Sequence, residues 1–312
     1  MISLNEFLIN KRINKKINQH NYKYFPQSIE ELSDTIKKLL TNGEHNLNCI
    51  DTSAITDMSG LFWYNVFNSS KYSVDIIGIK DIDVSDWNVS NVKSMHNMFR
   101  GCKNFNCNIS GWDVSNVTDM SYMFEECKSF NQPIGNWNVS KVTNMFKMFQ
   151  DCTSFNQPLN NWDVSNVINM KNLFANCIKF NQPLNDWDVS NVNKISYIFS
   201  GCKEFNQPLD KWNVSNIKDM SNMFFGCIKF NQNLNSWDVR NVIETAFMFS
   251  NCYEFNKPLD KWNVSKLIYM NNMFYKCIKF DISSIDNWNI SKVVNMEDAF
   301  YGCKNKPIWY RE

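Results

Sequence analysis

The sequence predicts an α/β repeat: a solenoid of about ten coils, each a short parallel strand plus a short helix, behind an N-terminal helical cap. Three observations predict it. Trp recurs at 87, 112, 137, 162, 187, 212, 237 and 262, always 25 residues apart, and once more at 288. Each Trp sits in the same apolar frame, which in one copy is Leu159, Trp162, Val164, Val167, Met170, Leu173, Phe174, Cys177 and Phe180. Within that frame the spacing changes from two, suited to a strand, to three and four, suited to helical turns. A fixed period in the 20–50 range makes length a measure of coil number, so the 312 residues form one elongated domain.

In chain order, residues 1–46 read as the cap. Leu4 to Gln19 has apolar spacing compatible with an amphipathic helix, its basic residues lying between Phe7, Ile13 and Ile17. Such a segment can lie on a membrane surface, but covering the first coil is the favoured reading. Ser28 then starts a better helix, with Glu31 completing a capping box and Ile29, Leu32, Ile36, Leu39 and Leu40 at helical spacing. Gly43 stops it. Residues 47–303 are the solenoid. Its first copy, 50–62, aligns with 87–99 but carries Ile50 for Trp and about 12 extra residues before Trp87. Regular copies run from about residue 85, and 304–312, with Pro307, Ile308, Trp309 and Tyr310, closes the last coil.

One coil cannot bury its apolar face alone; stacked coils bury it continuously, Trp on Trp and Phe on Phe. The Trp and Met rows therefore read as core rather than as a carbohydrate platform or a soft docking stripe. The spacing L-x-x-W-x-V matches the leucine-rich-repeat strand, with Trp162 and Val164 facing inward and Asn161 and Asp163 outward.

Composition narrows the function. With 32 basic and 31 acidic residues the net charge is +1, so no global field favours nucleic acid or anionic lipid. No apolar run is long enough for a signal peptide or a membrane span, which favours an intracellular or virion-associated location over classical secretion. Nine of the eleven Cys, from Cys102 to Cys303, share one repeat position. They read as buried free thiols; bridging between neighbouring coils in an oxidising setting is the alternative, and metal binding a remote third. There is no phosphate loop, zinc motif or distinctive nucleophile set, so the chain reads as non-enzymatic with no cofactor and no metal.

The repeat F-N-Q-P-L-x-x-W-[DN]-V-S-N-V-x-x-M-x-x-M-F-x-x-C resembles the 25-residue repeat of BspA-like leucine-rich-repeat surface proteins over roughly residues 24–303. The resemblance implies cell-surface or virion-associated proteins of bacteria, protists and large DNA viruses that act in adhesion and protein contact. It implies no catalytic residues.

Binding is then expected on the outward strand positions: Asp113, Asn138, Asn161, Asp163, Asp186, Asp188, Lys211, Asn213, Asp238 and Lys261. Asp outnumbers Lys in this row, so it repels phosphates and favours a basic or amide-rich protein partner. Equally, an Asp/Asn row serves hydrogen bonds between coils and solubility. A second row, Lys103, Lys128, Lys179, Lys203, Lys229, Lys279 and Lys304, reads as a solvated edge. The expected function is an interaction or adhesion module; the alternatives are a structural virion or surface component and, more weakly, an inhibitor or carbohydrate binder.

Overall fold

The structure, a computed structural model, describes residues 22–63, 74 and 81–310. The expected helix from Leu4 to Gln19, and most of the extra segment before Trp87, lie outside them.

Helix α1 spans Ile29–Thr41. The Ser28 hydroxyl accepts the Glu31 N–H at 3.2 Å, and the Glu31 carboxylate reaches back to the N–H of Gln27 at 2.8 Å. Two otherwise unpaired donors are thereby satisfied. At the other end Gly43, with φ 78°, lets its own N–H reach Leu40 and that of Glu44 reach Leu39, a Schellman closure. Leu32, Ile36 and Leu39 face down into a core continuous with the first repeat.

Within the repeats the local structure departs from expectation. Among the described residues no helix forms over any copy of Met170 to Cys177, and no extended strand over Trp162 to Val164. Each repeat is a chain of tight turns: N–H to C=O bonds run Trp162 to Leu159, Val167 to Val164, Leu173 to Met170 and Cys177 to Phe174. Asn172 and Asn176 have φ of 59° and 60°, the left-handed values that a type II turn needs at its third residue. Those two residues end any α-helix before it starts, while the turns still bring Met170, Leu173, Phe174 and Cys177 inward at helix-like spacing.

The donors freed by the turns bind the next repeat. Met170, Asn172, Phe174 and Asn176 give their N–H groups to Lys194, Ser196, Ile198 and Ser200, 24 residues on, at 2.6–3.0 Å. Parallel pairing thus falls seven residues after each Trp, in single bridges rather than strands. One row of bridges runs from Asp57 to Lys194 and a second from Asp219 to Asn295.

Side chains add further rows. The indole N–H of Trp162 donates to Ile134 in the repeat before at 3.1 Å, and the same bond recurs for Trp112, Trp137, Trp187, Trp212, Trp237 and Trp262. Phe149, Phe174 and Phe199 stack at centroid spacings of 5.7 and 5.9 Å, and Trp162 lies 6.4 Å from Trp187. Burying a ring of this size contributes roughly 1.5–3 kcal/mol, so these rows dominate the stability of the stack. The first repeat joins the same frame: Phe62 stacks on Phe99 at 5.3 Å, and Asp57 bridges Ser94. At the far end Trp309 and Tyr310 pack edge-on against Phe300, and the Trp309 indole donates to Ile285.

Candidate interaction surface

Three sets of polar or reactive groups recur, and geometry assigns each a different task. The cysteine row is structural. Each buried thiol donates to a Phe carbonyl of the preceding repeat, Cys152 to Phe124 and Cys177 to Phe149 both at 2.9 Å. All eleven cysteines are free, and burial pushes Cys127, Cys152 and Cys177 far up, away from the reactive thiolate.

The row after Trp is not a strand face. All nine copies, from Asn88 to Asn289, place a side-chain oxygen on the N–H two residues on; Asp113 accepts from Ser115 at 3.0 Å and Asn138 from Ser140 at 3.1 Å. Asp163, Asp188 and Asn213 cap Ser165, Ser190 and Ser215 in the same way, and Asp238 caps Arg240. Without a ladder at Trp, these side chains close their own turn. The Ser190 hydrogen bonds hold the Asp188 carboxyl below the usual range, and the Arg240 side chain does so for Asp238. Just ahead of Trp, Asp186 pairs with Lys211 at 2.7 Å, the Lys211 and Lys261 N–H groups bind Asn185 and Asn235, and Asn161 accepts from Asn160. Nine of the ten residues expected to bind are exposed and Asp238 is half-buried, but they line up as separate turn caps and pairs rather than as one site. Other amides also bond between repeats: Asn166 reaches Ser140, and Asn156 receives the N–H of Asn181. In the lysine row, Lys229 pairs with Glu204 and Lys279 with Glu254 across repeats, as fits a solvated edge.

The third set was missed by strand-based reasoning. It lies on the bridged turns, at one, two and five residues after Met. The Trp side of the repeat is nearly uniform, whereas these columns vary from copy to copy: the second holds Asn97, Tyr122, Lys147, Asn172, Tyr197, Asn222, Phe247, Asn272 and Asp298. That variability was the available signal. Two clusters stand out. In the first, Glu125 is buried to 2% exposure, paired with Arg100 and, at 3.4 Å, with Lys147. Arg100 lies 4.7 Å and Lys147 5.5 Å from the centre of the Tyr122 ring. Burial pushes the Glu125 carboxyl up, against the pull of both cations. The second cluster is a groove of about 400 Å³ between Tyr197, Asp219, Ser221, Asn222, Phe225, Glu244, Ala246 and Phe247. There Asp219 and Glu244 each cap a turn, at Ser221 and Ala246, and burial and Asp219 push Glu244 up.

Among the described residues no group of three or more His, Cys, Asp or Glu could hold a metal ion, and no helix is long and apolar enough to cross a membrane. No curated protein matches the chain. The family described as "Mycoplasma protein of unknown function, DUF285" matches five overlapping stretches, 27–139, 70–176, 140–219, 158–253 and 209–308. Overlap of this kind is what a repeated unit produces, and with 27–308 covered without a gap the chain belongs to that family of repeat proteins.

Proposed function

We propose that the protein is a non-enzymatic interaction module, a solenoid of stacked repeats that binds a protein partner. One observation carries the reading: on a frame that hardly changes between copies, the columns following Met vary and collect Tyr122, Phe146, Tyr197, Phe225, Phe247, Tyr275 and Tyr301. Aromatic side chains concentrate binding energy at interfaces, and repeat scaffolds present them on one continuous surface. The kinship with BspA-like adhesion proteins, and display at a surface, belong to the same reading. Catalysis is disfavoured because the eight ladder thiols from Cys102 to Cys277 are buried and the carboxylates recur in copies, whereas acid/base chemistry needs one pair made different.

A second reading, a structural component without a specific ligand, is favoured by the row after Trp, where every residue spends a side-chain oxygen on closing its own turn. Affinity capture from the native source separates the two. Charge reversal on the turn face (Asp219→Lys, Glu244→Lys) is expected to abolish capture, and reversal beside Trp (Asp163→Lys, Lys211→Glu) to leave it intact. Capture indifferent to both sets, in folded protein, favours the structural role.

A further inference from the structure

The groove beside Tyr197 lacks something that the first cluster on the same face contains. At Tyr122 the chain supplies its own cation: Arg100, five residues after Met95, lies over the ring two residues after Met120 and pairs with Glu125. Two elements of this arrangement are replaced in the groove. Phe247 holds the column of Tyr122, but the column of Arg100 in the preceding repeat holds Phe225, whose ring meets Phe247 at 6.4 Å and 67°. The column of Glu125 holds Ser250, and the acids stand instead just ahead of Met220 and Thr245, as Asp219 and Glu244 on neighbouring repeats. No ion pair joins either to a basic residue among the described residues. Lys194 and Lys218 are exposed neighbours in sequence register that do not line the groove, and Lys171, from the repeat before, lies 5.7 Å from the Tyr197 ring and does not line it either. The groove also straddles the break between the two rows of bridges, with Tyr197 on one side and Asp219 and Glu244 on the other.

We infer that the groove between Tyr197, Phe225, Phe247, Asp219 and Glu244 receives an arginine side chain of a protein partner, so that a cation supplied in trans meets rings and carboxylates here as Arg100 meets Tyr122 and Glu125 in cis. The chemistry selects arginine. A planar guanidinium stacks on an aromatic face while its N–H fork spans carboxylate oxygens, whereas an ammonium has the charge without the plane. Each acid uses one oxygen on its own turn, Asp219 Oδ1 on Ser221 and Glu244 Oε1 on Ala246, and retains the other for the guest. The inference rests on the protein being an interaction module and names the guest of that surface.

The test uses the full chain and a BODIPY-labelled Gly-Arg-Gly-Arg-Gly peptide, followed by fluorescence anisotropy, with lysine and citrulline versions alongside. The expected order is arginine, then lysine, with citrulline unbound. Asp219→Asn with Glu244→Gln, which keeps both turn caps, is expected to weaken the arginine peptide at least tenfold. Phe247→Leu, which keeps apolar volume but removes the ring, is expected to bring arginine down to the lysine level. Asp163→Asn with Asp188→Asn removes two charges elsewhere and is expected to change nothing, and equal thermal melts of all variants exclude unfolding. Citrulline bound as well as arginine, no binding by wild type, or an unchanged double variant overturns the inference. Native-partner capture that survives Asp219→Asn with Glu244→Gln overturns the guest alone, whereas absence of any captured partner overturns the interaction module.

Discussion

The hydroxyl of Thr245 lies 3.2 Å from the sulfur of Met273, in the place where the neighbouring repeats put Met220 and Met270. The shorter side chain leaves a cavity of about 10 Å³ among Met220, Val242, Trp262, Leu267 and Met273. Thr245→Met restores the row and fills the space. Cavity filling of this kind contributes about 0.5–2 kcal/mol, and the urea midpoint is expected to rise accordingly. Thr245→Val, which loses the hydroxyl without filling the cavity, separates the polar cost from the packing gain.

The left-handed turns give a second expectation. Asn172 has φ 59° and its side-chain oxygen is buried without a partner, so little is lost with the side chain. Asn172→Gly is expected to be neutral or stabilising. Asn172→Val, with its branched Cβ, is expected to cost about 1–2 kcal/mol. A helix across this segment would reverse the order, since Gly is the worse helix former of the two. Chemical denaturation of the two variants decides the matter directly.

That contrast also explains what the sequence conceals. The positions of Trp162, Val164, Met170, Phe174 and Cys177 were legible because burial depends on spacing alone, and turns and helices share that spacing. Backbone conformation was not legible from the apolar pattern. The sign lay in the columns between: Asn97, Asn172, Asn222 and Asn272 at one left-handed position, and Gly101, Gly201, Gly226 and Gly302 at the other. Tyr122, Lys147 and Phe247 in the first column mask that sign, because a stack held by ring rows and bridges tolerates their local strain. The outward acids were found for the same reason that their turn-capping was not foreseen. Exposure of Asp163 follows from its place beside Trp162, but whether it faces a partner or closes a turn depends on the N–H of Ser165, which an extended strand would have pointed elsewhere.

Two of the carboxylate turn caps, Asp188 and Asp238, are held below the usual range by the groups they cap. Asp188 is held below the usual carboxylate range by the hydroxyl and then the N–H of Ser190, so its folded value lies under its unfolded one. Its contribution is complete above the unfolded value, near about 4, and is lost as pH falls through the folded value. Asp188→Asn keeps the acceptor, as Asn138 and Asn213 do, and is expected to flatten the acid limb of the stability curve with little change at neutral pH. Asp188→Ala removes the cap at every pH and is expected to cost about 0.5–1.5 kcal/mol. Thermal melts between pH 3 and 7 report both.

Arg100 and Glu125 form the most buried ion pair on the turn face, with the Glu125 side chain 3% exposed. Removing the cation leaves a carboxylate with only Lys147, at 3.4 Å, to offset its burial. Breaking a buried pair from one side costs about 3–5 kcal/mol, and Arg100, being 30% exposed, places Arg100→Ala at the lower end. Glu125→Gln removes the charge that needs compensation and is expected to cost less. The two changes together are expected to be less harmful than Arg100→Ala alone, because the uncompensated carboxylate is gone. Burial pushes Glu125 up, so its folded value exceeds its unfolded one and it favours the folded state at acid pH, a contribution that fades as pH rises through the folded value. In Arg100→Ala that upward shift grows, and the penalty is expected to shrink as pH falls toward about 4. A double-mutant cycle by urea denaturation at pH 7 and pH 4.5 checks both. Additive losses at both pH values would show that Arg100 acts through its packing on Tyr122 rather than through Glu125.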